Sequence, residues 1–126
     1  MQKILAIDDE SSCLEIIEFS LTSRGYEVFS VSSGTKAVDF LLANEHKIDL
    51  ILLDMMMPEM DGTQTLKKIR SIESARDIPV IFQTGTSSHE PIGNLEEKSE
   101  LEYIIRKPYK RDELLNMIKT ALCVMV

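Results

Sequence analysis

The sequence predicts an α/β domain built on a five-stranded parallel sheet with helices on both faces. Short apolar runs alternate with amphipathic stretches five times along the chain, which is the pattern of consecutive βα units. The 126 residues, 44% hydrophobic and 28% charged, suit one globular domain that buries roughly two-thirds of its unfolded surface. We therefore expect a single domain over residues 1–126.

The apolar runs are the candidate strands. The run from Ile48 to Leu53 is almost wholly apolar, and only a strand that is covered on both faces tolerates such a composition, so it belongs in the interior of the sheet. The predicted strands are Lys3 to Ile7, Glu27 to Val31, Asp49 to Leu53, Val80 to Gln83 and Ile104 to Arg106.

The first helix has clear start and stop signals in the sequence. Ser12 is followed three residues later by Glu15, which is the spacing of a capping box, and Gly25 is a typical stop. Its apolar face comprises Leu14, Ile17 and Leu21.

The last two helices differ in how well the sequence defines them. Pro91 and Gly93 interrupt the start of the fourth, while Asn94 with Glu97 offers a later cap, so both starts stay open and a long mobile loop is expected there. The last helix follows Pro108 and should pack on the sheet. Its apolar positions are Leu114, Ile118, Ala121, Leu122 and Met125.

Charge and composition exclude several classes of protein. A net charge of −7 argues against direct binding of nucleic acid or anionic lipid. The chain has no signal-peptide pattern and no apolar stretch near the roughly 18 residues that span a bilayer, so we expect a cytoplasmic protein. Cys13 and Cys123 lack metal-site spacing and are expected to be reduced thiols.

Polar residues follow four of the predicted strands. Asp8 and Asp9 follow the first, Asp54 the third, Thr84 the fourth and Lys107 the fifth. Functional groups of a parallel α/β sheet collect at the carboxyl ends of its strands, so these side chains should converge at one edge.

Three clustered carboxylates require a counter-charge. Two like charges about 4 Å apart repel by roughly 4 kcal/mol at an effective dielectric of 20, and a divalent cation relieves this. Oxygen ligands suit Mg²⁺ or Mn²⁺, whereas zinc is disfavoured because no Cys or His lies at these positions. With a metal bound, the Asp54 carboxylate could attack phosphorus, while Lys107 and the Thr84 hydroxyl contact the phosphoryl oxygens.

Four stretches of the sequence resemble the signatures of response-regulator receiver domains. They are ILAIDDE, LILLDMMMPEMDG, PVIFQTG with Thr84, and the dipeptide KP with Lys107. They occur in the family's order, and their spacings extend over essentially the whole chain. The resemblance implies a flavodoxin-like (βα)5 fold with strand order 2-1-3-4-5 and a cis Lys107–Pro108 bond. It also implies that Thr84 is the switch hydroxyl and that Lys107 is the active-site lysine.

The resemblance also implies roles for the acidic residues. Asp8 and Asp9 match the metal-binding pair, Asp54 matches the phosphorylated aspartate, and Met56 matches the position whose main-chain carbonyl joins the metal. The implied partners are a sensor histidine kinase or histidine phosphotransfer protein and an unidentified downstream target. The implied domain is a phosphoacceptor rather than a turnover enzyme, either monomeric or dimeric on phosphorylation. It signals through the loop and helix after the fourth strand.

Three alternative functions fit the sequence less well. A flavodoxin-type flavin carrier would need a phosphate loop after the first strand, where Asp8, Asp9 and Glu10 would repel a phosphate. A DxDxT phosphatase would need a second acid after Asp54, where Met56 stands. A degenerate receiver that only binds partners is disfavoured because all site residues are present.

Several residues are assigned no functional role. The side chains of Met55 to Met57 are expected to pack, and His46 and His89 to be exposed loop residues. The family often has Tyr or Phe three residues before the lysine, where this chain has Ile104. Tyr103 should face the opposite side of the sheet from Ile104 because side chains alternate along a strand.

Overall fold

The protein folds around one five-stranded parallel sheet of order β2-β1-β3-β4-β5. The computed structural model describes residues 1–43, 45–85 and 101–123. The predicted class and strand order are therefore confirmed. The strands are β1 (Lys3–Ile7), β2 (Glu27–Val31), β3 (Leu50–Asp54), β4 (Val80–Thr84) and β5 (Glu102–Arg106).

The observed strand bounds differ from the predicted ones where the backbone hydrogen bonds extend beyond the apolar run. β1 and β2 match the predicted bounds, but β3 includes Asp54 and β4 includes Thr84. The ladder continues past the apolar run because the Met55 amide donates to the Gln83 carbonyl at 3.0 Å. β5 begins two residues earlier than predicted, at Glu102, because this residue pairs in register with Val80.

Four α-helices and one short 3₁₀ helix are present within the described ranges. They are α1 (Ser11–Thr22), α2 (Gly34–Ala43), α3 (Gly62–Arg70), the 3₁₀ helix (Glu73–Ala75) and α4 (Arg111–Cys123). None of these helices has both the length and the apolarity that crossing a bilayer requires.

The predicted start of α1 is wrong. The helix begins at Ser11, and its N-cap, Glu10, makes no side-chain cap bond. The Asp8 carboxylate instead accepts a hydrogen bond from the Glu10 amide at 2.9 Å, which fixes the chain before Ser12 can act as a cap. The Gly25 stop is confirmed, since its φ of 91° lies where glycine is favoured.

A genuine capping box opens α3. The Asp61 carboxylate accepts from the Gln64 amide at 2.9 Å, and the Gln64 side chain accepts from the Asp61 amide at 3.0 Å. This reciprocal pair anchors the helix that follows the Asp54 loop.

The core has two layers, one on each face of the sheet. On the face covered by α1 and α4, called here the α1/α4 face, Ile17 and Ile118 pack in the cluster that contains Leu52. On the opposite α2/α3 face, Leu41 and Ile69 pack in the cluster that contains Leu53. Every residue of β3 is buried, which confirms its interior position.

The last helix packs as predicted, within the part of it that is described. Leu114, Ile118, Ala121 and Leu122 are buried on the α1/α4 face. Met125 and the predicted fourth helix, with its alternative starts near Pro91 and Asn94, lie outside the described residues.

Candidate functional site

Three carboxylates converge at the carboxyl edge of the sheet. Asp8 and Asp9 follow β1, and Asp54 is the last residue of β3. One carboxylate oxygen from each residue lies within 4.8 Å of the other two. Asp8 and Asp54 are buried, whereas Asp9 is exposed. The cluster predicted from the sequence is therefore present.

Lys107 lies against this cluster. Its Nζ is 3.3 Å from Asp8 Oδ2 and 3.9 Å from Asp54 Oδ1. Burial alone would lower the pKa of Lys107, but the nearby carboxylates of Asp54 and Asp8 outweigh burial and raise it. The ammonium group therefore stays charged at physiological pH.

Asp54 sits where its ionised form is penalised. Burial is the main cause that raises its pKa to about 7; the Asp8 carboxylate adds to the rise, while Lys107 and the Met56 amide oppose it. That amide donates to Asp54 Oδ1 at 3.3 Å. Among the described residues, Lys107 pairs with Asp8 and Asp54, and no ion pair of Asp9 is found, so the cluster of three carboxylates retains excess negative charge.

Gly62 lets the backbone close tightly around Asp54. A Cβ atom added to Gly62 would lie 2.9 Å from the Asp54 carbonyl oxygen and 2.8 Å from the Met55 Cα. The Gly62 amide also donates to the Met55 carbonyl at 2.9 Å. A larger residue would therefore displace the phosphoacceptor candidate's own backbone.

Thr84 lies at the carboxyl end of β4 and is fully buried. Its hydroxyl has no hydrogen-bond partner within the described residues. The Thr84 carbonyl accepts from the Lys107 amide at 2.7 Å, so these two predicted site residues are joined through the backbone.

Gln83 is a site neighbour that the sequence analysis did not single out. It is fully buried and lies in register with Asp54 on the neighbouring strand. The Tyr109 hydroxyl donates to its Oε1 at 2.6 Å. A glutamine inside an otherwise apolar strand was the available signal, and its partner lies 26 residues away.

The prediction that the three methionine side chains after Asp54 pack is confirmed for Met55 and Met57 and is wrong for Met56. Met55 and Met57 are buried in the core of the α2/α3 face. Met56 is exposed over 56% of its surface and contacts Asp54 through its amide.

The predictions for the aromatic residue on β5 and for the two histidines have different outcomes. Tyr103 packs on the α1/α4 face and Ile104 on the α2/α3 face, as predicted. His46 lies in a loop as predicted, but it is only partly exposed, because its ring lies 4.4 Å from that of Phe29 and stacks on Phe40. His89 lies outside the described residues.

Two further expectations concern covalent geometry and thiols. The Lys107–Pro108 bond is cis. Cys13 and Cys123 are free, and burial is the first of several causes that raise the pKa of the Cys13 thiol.

The fold and this edge of the sheet define a class of protein. Residues 4–119 match the family described as the response regulator receiver domain. The chain belongs to that family, the phosphoacceptor signalling domain of two-component systems. This membership argues against the flavin carrier and the phosphatase.

Individual relatives agree with the family assignment. The chain is 33% identical over 118 residues to the transcriptional regulatory protein DltR of Streptococcus agalactiae, covering 93% of this chain but 50% of the relative. It thus spans about half the length of the curated relatives it matches.

Solved structures show the same likeness. A response regulator receiver domain protein from Clostridium thermocellum is 33% identical, with a TM-score of 0.86 and coverage of 99% of this chain and 97% of that one. The receiver domain of a sensor histidine kinase from Pseudomonas aeruginosa is 30% identical, with a TM-score of 0.83 and coverage of 96% and 97%. That structure holds magnesium in its active-site cleft.

Proposed function

We propose that this chain accepts a phosphoryl group on Asp54 from a sensor histidine kinase or a histidine phosphotransfer protein. The observation that carries the proposal is the position of Asp54, a carboxylate at the end of the central strand with two more carboxylates within 4.8 Å and Lys107 Nζ at 3.9 Å. These are the groups that phosphoryl transfer to a carboxylate requires.

The donor set fits a hard divalent cation. All three side chains offer oxygen, one lysine does not balance their charge, and Mg²⁺ commonly uses one or two carboxylates together with phosphate oxygens. We assign Mg²⁺ as the cofactor, with Mn²⁺ as an alternative, held by Asp8, Asp9, Asp54 and the Met56 main-chain carbonyl. The magnesium in the Pseudomonas relative supports this assignment.

The chain's own residues then have distinct roles. An Asp54 oxygen attacks phosphorus as the bond between phosphorus and the donor's histidine nitrogen breaks. Lys107, already charged beside Asp54, pairs with the phosphoryl oxygens. The unpartnered Thr84 hydroxyl donates to one of them. The bound metal supplies charge neutralisation at the phosphoryl group.

The output follows from the same site. Thr84 moves toward the phosphoryl group, and the segment after β4, where the sequence predicts a loop and a helix, responds to this movement and contacts a downstream protein. That segment lies outside the described residues. The domain does not turn over a substrate repeatedly; it catalyses its own phosphorylation and slow dephosphorylation. We further propose a cytoplasmic protein that is monomeric, or dimeric when phosphorylated.

Incubation with acetyl phosphate and Mg²⁺, followed by intact-mass measurement, tests the proposal. The native protein should gain one phosphoryl group, whereas Asp54→Asn should gain none because its amide cannot act as the nucleophile. Chelation with EDTA should also prevent the gain.

The matched control is Asp39→Asn, which removes an exposed carboxylate from α2. It should react like the native protein. Phosphorylated Asp54→Asn at native yield would show that the acceptor is another residue.

A further inference from the structure

Two consecutive residues of β4 hold the segment that carries Lys107. Thr84 accepts the Lys107 amide through its carbonyl at 2.7 Å. Gln83 Oε1 accepts a hydrogen bond from the Tyr109 hydroxyl at 2.6 Å. Lys107 is therefore anchored to the strand beside Asp54 both at its own amide and two residues later.

The Gln83–Tyr109 bond is placed to affect Asp54 as well. Gln83 is in register with Asp54, and its carbonyl accepts the Met55 amide at 3.0 Å. The bond thus joins Gln83, which lies beside Asp54, to the segment that carries Lys107.

This polar pair lies in an apolar layer, where it carries an energetic penalty. Tyr109 packs against the hydrophobic cluster of the α1/α4 face, and Gln83 is fully buried. The Gln83 Nε2 has no partner within the described residues, so the glutamine is destabilising compared with an apolar residue of similar size. The bond therefore calls for an explanation beyond packing.

The direction of the bond is fixed. Gln83 Oε1 lies 2.6 Å from the Tyr109 hydroxyl and has no hydrogen to donate, so the hydroxyl is the donor. Burial is the main cause that raises the pKa of Tyr109 to about 12, so the phenol keeps its proton.

We propose that the hydrogen bond from Tyr109 to Gln83 positions Lys107 for phosphoryl transfer to Asp54, which makes Tyr109 and Gln83 positioning residues. This inference rests on the proposed function of Asp54. The Lys107 side chain is 29% exposed and reaches the carboxylates on a flexible stem, so its ammonium position depends on how firmly the segment beneath it is held.

The experiment compares rates of phosphorylation by acetyl phosphate at saturating Mg²⁺. Tyr109→Phe keeps the ring and removes only the hydroxyl. It should lower the maximum rate by about 3- to 10-fold, as expected for loss of one positioning hydrogen bond, without changing the Mg²⁺ concentration for half-maximal rate by more than about twofold. Tyr26→Phe, which removes a phenol hydroxyl from another residue packed at the α1/α4 face, should react at the native rate.

A second variant and a double variant separate positioning from stability. Gln83→Leu should slow the reaction as Tyr109→Phe does, and the double variant should be no slower than the slower single variant, because both remove one bond. A native rate in Tyr109→Phe, or multiplied losses in the double variant, would overturn the inference.

The NMR signals of the Lys107 side chain give a readout independent of phosphorylation. They should shift or broaden in Tyr109→Phe and Gln83→Leu but not in Tyr26→Phe. If the native protein fails to react at all, the proposed function is wrong, and unchanged Lys107 signals would still overturn the positioning inference by themselves.

Discussion

Two buried carboxylates of the same sheet lie in opposite electrostatic situations. The Glu102 side chain, at the start of β5, is 8% exposed, and that of Asp54, at the end of β3, is 11% exposed. Glu102 receives a charged hydrogen bond of 2.7 Å from Arg70, whereas the nearest cation to Asp54 in the described chain, Lys107, is 3.9 Å away and also lies beside Asp8.

The difference separates a structural ion pair whose charges balance from a carboxylate cluster with excess negative charge. The Arg70 guanidinium also donates to the carbonyls of Ala75 at 3.0 Å and Ile78 at 2.7 Å, so it joins α3, the 3₁₀ helix and β5 with its charge balanced internally. The Asp54 site keeps its negative charge in excess. We therefore expect an added divalent cation to stabilise the protein through the Asp54 site. Removal of the Arg70 guanidinium beside Glu102 should destabilise it most.

The largest expected effect is loss of the structural pair. Arg70→Met should lower the free energy of unfolding by about 2–4 kcal/mol, because a buried carboxylate loses its charged hydrogen bond to Arg70 and two carbonyls each lose a hydrogen bond. Chemical denaturation would measure it. Lys68→Met removes an exposed cation of the same helix and should change stability by less than about 0.5 kcal/mol. Equal losses in the two variants would contradict the comparison.

The next effect is stabilisation by Mg²⁺. A ligand at 100 times its dissociation constant stabilises by about 2.7 kcal/mol when it binds only the folded state, so Tm should rise with Mg²⁺. The rise should shrink sharply in Asp9→Asn and persist in Lys68→Met. A full rise in Asp9→Asn would place the metal elsewhere.

A smaller effect is the dependence of stability on pH without metal. The pKa of Asp54 is about 7 in the folded state and about 4 when unfolded. As pH rises through this window, the unfolded chain releases the proton first, so the native protein loses stability.

Asp54→Asn lacks this penalty. In EDTA at pH 8 it should be more stable than the native protein by about 1–2 kcal/mol, a gain that falls to less than half at pH 5. The gain stays below the full value of the pKa shift because water and Lys107 screen the charge. Asp39→Asn should show no such trend. A gain that grows as pH falls would reverse the assigned sign.

The Asp54 side of this comparison was predictable from the sequence, whereas the Arg70–Glu102 pair was not. The alternation of apolar runs predicts the sheet, and the polar residues that end those runs predict which side chains converge. The apolar pattern stops one residue early at Asp54 and Thr84, because the backbone ladder continues under polar side chains.

Side-chain pairings between residues far apart in the sequence could not be predicted. The Arg70–Glu102 bond spans 32 residues and the Tyr109–Gln83 bond spans 26, and both depend on strand register. The predicted start of α1 is wrong for a similar reason. The spacing of Ser12 and Glu15 fits a capping box, but the Asp8 carboxylate accepts a hydrogen bond from the Glu10 amide, and the helix begins at Ser11.

The smallest effect should occur at Tyr103, which lies on β5 between the two carboxylate environments. Its ring packs on the α1/α4 face, opposite to Ile104. Ile104 can fill space near Thr84 but offers no hydroxyl to a partner. The response to a phosphoryl group should therefore not pass through an aromatic ring on this strand.

Beryllofluoride, a phosphoryl mimic, tests whether the response reaches Tyr103 on β5 or only Tyr109, which follows this strand. The ring signals of Tyr109 should shift on its addition with Mg²⁺, because that hydroxyl bonds to the strand neighbour of Asp54. The ring signals of Tyr103 should stay in place, since its packing keeps one rotamer. Asp54→Asn with the same additions is the control. A Tyr103 ring that moves more than Tyr109 would show that the switch reaches the strand interior and that the two environments are coupled.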